Sequence, residues 1–311
     1  MNRTCGKILM IRGGAIGDFI LTLPVLAALR ERFPDSSLEV LGYPHVVQLA
    51  EAGRLVDTVR PIEARALAGF FGRKTALDAG FAQYFSDFAV IISYLYDPDG
   101  IFQENVARCS KAQFIPGPHR PDDAGSLHAT ETFLKPLERL AVFDANPEPR
   151  LTVKLPHIRP AELAQQTRMA LHPGSGSERK NWPEEKWLEL LLRLTAETDW
   201  DFLLCGGEAE GERLHRLSAN IPPHRLRLEQ SRPLAELADE LARCSFFTGH
   251  DSGISHLAAA LGLPGLVLWG ETNPVVWRPR SGRFSILHPA EGLSALSVEE
   301  VVERLKGAVP K

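Results

Sequence analysis

The sequence predicts an α/β protein of two successive domains, each a parallel sheet covered by helices. Three observations predict it. Short apolar runs alternate with longer segments of helical periodicity along the 311 residues. A proline-rich stretch, Asp144–Pro160 (DANPEPRLTVKLPHIRP), interrupts that alternation near the middle. Glycine-rich polar loops recur directly after the apolar runs of the second half, where a parallel sheet presents its ligand edge.

Taken in order, Lys7–Ile11 reads as a buried strand. A helix over Asp18–Phe33 follows, with Ile20, Leu21, Leu23, Leu26, Leu29 and Phe33 on one face. Leu38–Leu41 is the next strand, His45–Ala52 a short helix and Thr58–Ile62 a further strand. Thr75–Phe85 reads as helix and Ala89–Leu95 as strand, and helices over Asp99–Cys109 and Thr130–Phe143 complete this half. Asp144–Pro160 is the expected linker between an N-terminal domain, 1–150, and a C-terminal domain, 151–311. The alternation then resumes. Strands are expected at Arg168–Leu171, Asp201–Cys205, Leu226–Glu229, Ser245–Thr248 and Gly265–Trp269. Helices are expected at Glu184–Thr198, Ala209–Asn220, Pro233–Arg243, Ser252–Leu261 and Ser297–Lys306. Right-handed crossovers make each half a Rossmann-like layer structure.

Composition narrows the function. Hydrophobic residues are 44% and charged residues 24%, ordinary for a globular chain. A net charge of −4 argues against a nucleic-acid binder, which needs a basic excess to neutralise phosphates. Cys5, Cys109, Cys205 and Cys244 are scattered with no CxxC spacing, so free thiols are expected in place of disulfides or zinc. The N-terminal apolar run is too short for a signal-peptide core, and no stretch approaches the ~20 apolar residues that span a bilayer. A cytoplasmic protein is expected, with any membrane contact peripheral.

The loops after the second-half strands read HPGSGS (172–177), GGEAEGE (206–212), GHDSG (249–253) and GETNP (270–274). Glycine allows close backbone approach, and Ser or Asp caps the helix that follows. Together these loops describe a crevice of N–H groups suited to a phosphate, helped by a helix N-terminus. Lys180 stands ahead of the Glu184–Thr198 helix, where a cation meets a diphosphate. Trp182 reads as packing.

In the first half the corresponding loop is Arg12-Gly-Gly-Ala-Ile-Gly-Asp18, which lacks the full GxGxxG spacing. A carboxylate at Asp18 repels a pyrophosphate there, which argues against a dinucleotide. Two readings of Asp18 stay open: a helix cap, worth about 1 kcal/mol, or a general base. Asp97-Pro98-Asp99 matches a metal-binding DxD pattern but reads as easily as a helix start, and no GxxxxGK[ST] motif is present.

Three segments carry a family resemblance: Ile8–Pro24 (ILMIRGGAIGDFILTLP), Leu171–Trp187 (LHPGSGSERKNWPEEKW) and Thr248–Pro274 (TGHDSGISHLAAALGLPGLVLWGETNP). In them the chain resembles the heptosyltransferases of glycosyltransferase family nine, which transfer ADP-heptose onto lipopolysaccharide core. The resemblance implies a GT-B fold, two Rossmann-like domains with parallel sheets facing across a cleft. It implies acceptor binding by the first domain, donor binding by the second, and an inverting, metal-independent transfer without cofactor. By motif, Asp18 matches the catalytic base and Lys180 the phosphate-binding lysine. Asp251, Ser252 and Gly253 match the donor-binding turn, and His256 lies on its helix. Ser175 and Gly176 fall in the phosphate loop. Either Glu208 or Glu210 matches the ribose-binding acid, with Glu210 taken as the donor contact.

Departures from the family pattern are visible. His250 stands where the family commonly carries a small or amide residue. Glu271 and Asn273 replace the Pro and Asp of a GPTDP turn, and Glu271 adds negative charge near the expected donor sugar.

On the acceptor side, Arg12, Arg65, Arg73 and Lys74 are the candidate contacts. The basic and apolar segment Arg54–Lys74, with Leu67, Phe70 and Phe71, suggests a peripheral contact with anionic membrane. The expected partners are thus a nucleotide-diphosphate sugar and a glycolipid or glycan acceptor. The rivals are a GT-B-like nucleotide-sugar epimerase or hydrolase, and a nucleotide-sugar-binding protein without transfer activity.

Overall fold

A computed structural model describes residues 6–153 and 167–308. The chain divides into two compact units, Met1–Pro147 and Glu148–Lys311. The break falls inside the proline-rich stretch. By Leu151 the chain is buried in the second unit, its N–H donating to the Ala260 carbonyl at 2.8 Å. The rest of the expected linker, 154–160, lies outside the described residues.

The first unit holds β1 (Lys7–Arg12), β2 (Ser37–Gly42), β3 (Thr58–Pro61), β4 (Phe88–Ser93) and β5 (Gln113–Pro116). They form one sheet in the order β3-β2-β1-β4-β5, every pair parallel. Leu9, Ile11, Leu41, Phe70, Phe85, Ile91 and Phe102 build a core on that sheet.

The single helix expected over Asp18–Phe33 is two, Ile16–Ile20 and Leu23–Arg32. The Thr22 hydroxyl donates to the Phe19 carbonyl at 2.6 Å, and Pro24 occupies the first turn of the second helix, where its missing N–H costs nothing. The helix expected from Thr75 starts at Ala79. Asp78 caps it, accepting the Phe81 N–H at 2.9 Å, while the Thr75 hydroxyl closes the preceding turn onto Gly72. The expected Thr130–Phe143 helix ends at Leu134 and continues as a 3₁₀ segment, Lys135–Leu140, with Pro136 in its first turn.

The second unit holds β6 (Arg168–His172), β7 (Asp201–Gly206), β8 (Leu226–Gln230), β9 (Phe246–His250), β10 (Gly265–Leu268) and β11 (Phe284–Leu287). Their order is β11-β10-β9-β6-β7-β8, again all parallel. The helices Glu184–Glu197 and Val298–Ala308 pack together on this sheet. Trp182, Trp187, Leu190, Leu194, Val301 and Leu305 lie between them and the strands.

Each sheet reverses its strand order once, between β1 and β4 in the first unit and between β6 and β9 in the second. Loops diverge from such a switch point and leave a crevice beyond the carboxyl ends of the strands.

Candidate functional site

In the second unit the loops after β6 and β9 flank the switch point. His172 and Gly249 are register partners at that edge. Ser252 caps the helix Gly253–Ala260, its hydroxyl accepting the Ser255 N–H at 3.4 Å. The first-turn N–H groups of that helix have no intrahelical acceptor and carry the positive end of its dipole. Beside them the Lys180 ammonium lies 2.6 Å from Oδ2 of Asp251. The Thr272 hydroxyl, from the loop after β10, donates to the same oxygen at 2.6 Å. Three strand-end loops thus meet at one buried carboxylate.

The loop after β6 is held from both sides. Ser175 Oγ bonds the Ser177 carbonyl at 2.9 Å and Asn181 Oδ1 at 2.7 Å, and Gly176 is exposed with φ +73°. Below it, His250 Nε2 accepts the Trp182 backbone N–H at 2.8 Å and the Trp187 indole N–H at 3.3 Å. Nδ1 of the same ring faces the Gly174 carbonyl at 3.4 Å. Two N–H groups on Nε2 leave Nδ1 as the protonated nitrogen, so His250 is a neutral donor–acceptor bridge. Burial pushes its pKa down to about 3, and burial pushes His172 down to about 4 against the opposing pull of Glu210.

Glu210 is buried, and its Oε2 accepts the Gly207 N–H at 2.9 Å. A Cβ placed on Gly174 would lie 2.2 Å from Glu210 Cγ, so the glycine makes room for this side chain. Glu208 is the exposed carboxylate of the pair. Arg213 braces the outer wall, bonding Glu178 at 2.8 Å and the Pro173 carbonyl at 3.4 Å.

In the first unit the loop after β1 carries Asp18. Its Oδ2 accepts the Ala15 N–H at 3.0 Å, so the carboxylate does cap its helix, from the third position of the first turn. Oδ1 faces Arg12 at 3.5 Å, and the Asp18 side chain keeps 29% exposure. Arg12 is buried beneath it. Its guanidinium donates to the carbonyls of His119 at 2.8 Å and Tyr94 at 3.4 Å and lies 4.6 Å from the Phe133 ring centroid. Burial lowers the Arg12 pKa, and Asp18 opposes that shift. Arg12 therefore does not present a charge to an acceptor, as its sequence position suggested; it anchors the loop and sets a fixed cation behind Asp18.

Both carboxylates of the DxD pattern are engaged. Asp97 accepts the N–H groups of Phe102 and Gln103 at 3.1 and 3.0 Å, and Asp99 pairs with Arg73 at 3.0 Å. Arg65, Arg73 and Lys74 are exposed around the 3₁₀ segment Arg65–Phe71. Leu67 and Phe70 turn into the core, which leaves Phe71 as the exposed aromatic of that segment. No helix of the described residues is long and apolar enough to cross a membrane.

The sequence profile of glycosyltransferase family 9 (heptosyltransferase) matches residues 118–303. The chain belongs to this family. It is 42% identical over 96 residues to lipopolysaccharide heptosyltransferase 1 of Pseudomonas aeruginosa, covering 30% of this chain and 26% of that protein. It is 24% identical over 308 residues to lipopolysaccharide heptosyltransferase 3 of Escherichia coli, covering 86% and 84%. The matches to the Pseudomonas protein and to lipopolysaccharide heptosyltransferase 1 of E. coli K12 span 26% and 39% of those relatives. Among solved structures, a family 9 glycosyltransferase from Veillonella parvula superposes with a TM-score of 0.79 at 18% identity, over 99% of this chain and 98% of that one. An E. coli heptosyltransferase solved with ADP gives 0.75 at 19%, over 97% and 100%. The fold is thus the two-unit GT-B fold that the resemblance implies.

Against the family 9 pattern, this chain brings Lys180, Asp251, Ser252 and Gly253 to one strand edge. His256 is buried on the helix behind that edge. Sequence reasoning missed the bridging role of His250 and the Thr272 bond to Asp251. The departure at position 250 was the available signal for the first. Nothing local announces the second, because Thr272 meets Asp251 only when β9 and β10 pair. Glu271 is exposed on that same loop, and Asn273 caps the short helix Pro274–Trp277, accepting the Val275 N–H at 3.0 Å.

Proposed function

We propose that this chain is an inverting heptosyltransferase that moves a sugar from ADP-heptose to a lipopolysaccharide-core acceptor. The observation that carries the reading is the convergence of Lys180, Asp251 and Thr272 beside a helix N-terminus at the β6/β9 switch point. A cation, first-turn N–H groups and capping hydroxyls form a receptor for a departing diphosphate. The names of the relatives and the ADP carried by one E. coli neighbour support the donor's identity.

In the proposed step the acceptor oxygen bonds to the anomeric carbon as the bond to the diphosphate breaks. The acceptor proton passes to Asp18, and the electron pair leaves with the diphosphate. General-base assistance of this kind is worth about 10²–10⁴-fold. Stabilisation of the leaving group by Lys180 and the N–H groups near Gly253 adds ~3 kcal/mol. Metal-independent transfer fits the engagement of Asp97 and Asp99 by backbone N–H groups and Arg73. Glu208 and Glu210 compete for the ribose role. Exposure favours Glu208, while Glu210 holds the floor of the loop. Arg65, Arg73 and Lys74 supply exposed cations for an anionic acceptor or a membrane surface, and the enzyme works at the cytoplasmic side.

The test has two stages. A thermal-shift panel of nucleoside diphosphates and nucleotide-sugars should single out ADP and ADP-heptose, with about 2.7 kcal/mol of added stability at 100 Kd. Incubation with ADP-heptose and deacylated core oligosaccharide should then yield a glycoside of inverted anomeric configuration by NMR. Sugar release or epimerisation without acceptor would establish the hydrolase or epimerase reading instead. Binding of ADP-heptose with no turnover would establish the binding-protein reading.

A further inference from the structure

Beyond the carboxyl ends of β4 and β5, a cavity of ≈ 210 Å³ is lined by Ser93, Tyr96, Asp97, Gln103, Gly117 and His119 among others. Tyr96 forms one face. It is 70% exposed, the most exposed large hydrophobic side chain of the described residues, and its ring lies 4.6 Å from that of His119. Folding does not account for an aromatic ring held this far out of the core. The polar complement is open. The Gln103 amide and the His119 ring nitrogens have no hydrogen-bond partner among the described residues. Asp97 is held in place by the N–H groups of Phe102 and Gln103.

This chemistry selects a ligand. No Lys or Arg lines the cavity, so it offers no fixed cation to a phosphate or carboxylate. Its size falls below the roughly 300 Å³ at which pockets for drug-sized ligands begin, which suits one ring-sized group. A flat aromatic wall with amide and imidazole groups at its edge matches a sugar ring, with an apolar C–H face and a rim of hydroxyls. Position adds a second argument. The buried Arg12 guanidinium donates to the His119 carbonyl at 2.8 Å and faces Asp18 at 3.5 Å. One fixed cation therefore ties the wall of this cavity to the candidate base.

We propose that this cavity is an acceptor subsite that binds a neutral sugar ring, stacked on Tyr96 and hydrogen-bonded by Gln103 and His119. The proposal rests on the transferase reading for its role, but not for its binding chemistry. The subsite fixes the acceptor's neighbouring residue so that the reacting hydroxyl reaches Asp18.

The test is saturation-transfer-difference NMR on the full chain without donor, using methyl glycosides of heptose, glucose and galactose and deacylated core oligosaccharide. The wild type should saturate ring protons of at least one of these sugars. Tyr96→Ala should weaken that binding at least tenfold at an unchanged melting temperature, and Tyr96→Trp should retain it. In the transfer assay, Tyr96→Ala should raise the acceptor KM about tenfold and leave the donor KM unchanged. Equal sugar binding by wild type and Tyr96→Ala, or no sugar binding by the wild type, overturns the proposal. An ADP thermal shift measured in parallel separates the two readings: its absence overturns the transferase reading, while the sugar titration alone judges the subsite.

Discussion

The Lys180 ammonium lies 2.6 Å from Oδ2 of Asp251, although the two residues are separated by 71 positions in the chain. The carboxylate is nearly buried, whereas the lysine keeps 33% exposure. Asp251 therefore serves as a fixed post and Lys180 as the arm that reaches solvent or ligand. Thr272 holds the post from the other side. Lys180→Met should abolish most of the ADP-induced thermal shift and lower kcat about 10²-fold or more, the scale of losing one preorganised donor to a developing anion. Asp251→Asn keeps a hydrogen-bonding oxygen and should retain the ADP shift. A full ADP shift in Lys180→Met would remove the lysine from the phosphate site.

Asp18 both caps its helix and faces solvent. Asp18→Asn keeps an oxygen for the Ala15 N–H but removes the charge that faces buried Arg12, so stability should fall by about 1–3 kcal/mol with the fold retained. Turnover should fall at least 10²-fold. Steady-state rates with a denaturation curve check both, and near-normal turnover sinks the base assignment. Gly14 supports the same geometry. It has φ +97°, and a Cβ there would stand 2.8 Å from Asp18 Oδ2. Gly14→Ala should therefore cost activity by displacing the carboxylate, with donor affinity preserved.

Arg12 is a structural cation on this reading. Arg12→Met leaves the His119 and Tyr94 carbonyls without their donor, a loss of about 1–3 kcal/mol. Arg12→Lys should not restore it, since one ammonium cannot reproduce the guanidinium's divergent contacts. Urea denaturation measures the loss. A variant as stable as the wild type would show that the anchoring contributes nothing.

The second unit should be acid-sensitive. His172 and His250 are buried and neutral, with folded pKa values of about 4 and about 3. The unfolded chain binds protons on these rings near the ordinary 6.5, so it takes up more protons than the folded state in the window between. Their stabilising effect is fully present above about pH 6.5 and is lost as pH falls toward 4. The melting temperature should drop from pH 7.5 to pH 5, before the carboxylates titrate. His250→Gln should be less stable at pH 7.5 and show a shallower drop. Equal slopes for the two proteins would assign the acid sensitivity elsewhere.

Much of the fold was legible because local chemistry and tertiary structure agree. Lys7–Ile11 and Gly265–Trp269 are apolar runs between glycines, and each is a buried strand to within a residue or two. What failed was length and continuity. The Asp18–Phe33 helix breaks where Thr22 bonds back to Phe19, a choice invisible to periodicity because apolar residues continue across the break. β5 (QFIP) and β11 (FSIL) are too short and mixed to stand out, and become strands only because a parallel neighbour supplies their hydrogen bonds.

By itself the sequence determined the class of the protein and the chemistry at its strand ends. The glycines, Ser252, Lys180 and Asp18 are local features, and their meaning follows from their place after an apolar run. Only the tertiary structure decided which of them meet. Strand order places β6 beside β9 and so brings Lys180 to Asp251, and β10 beside β9 and so brings Thr272 to the same oxygen. Burial decided the rest. It turned Arg12 from a candidate contact into an anchor, and His250 from an odd residue in a motif into the bridge beneath a loop. Both outcomes depend on solvent exclusion by residues far apart in the chain, which no local pattern encodes.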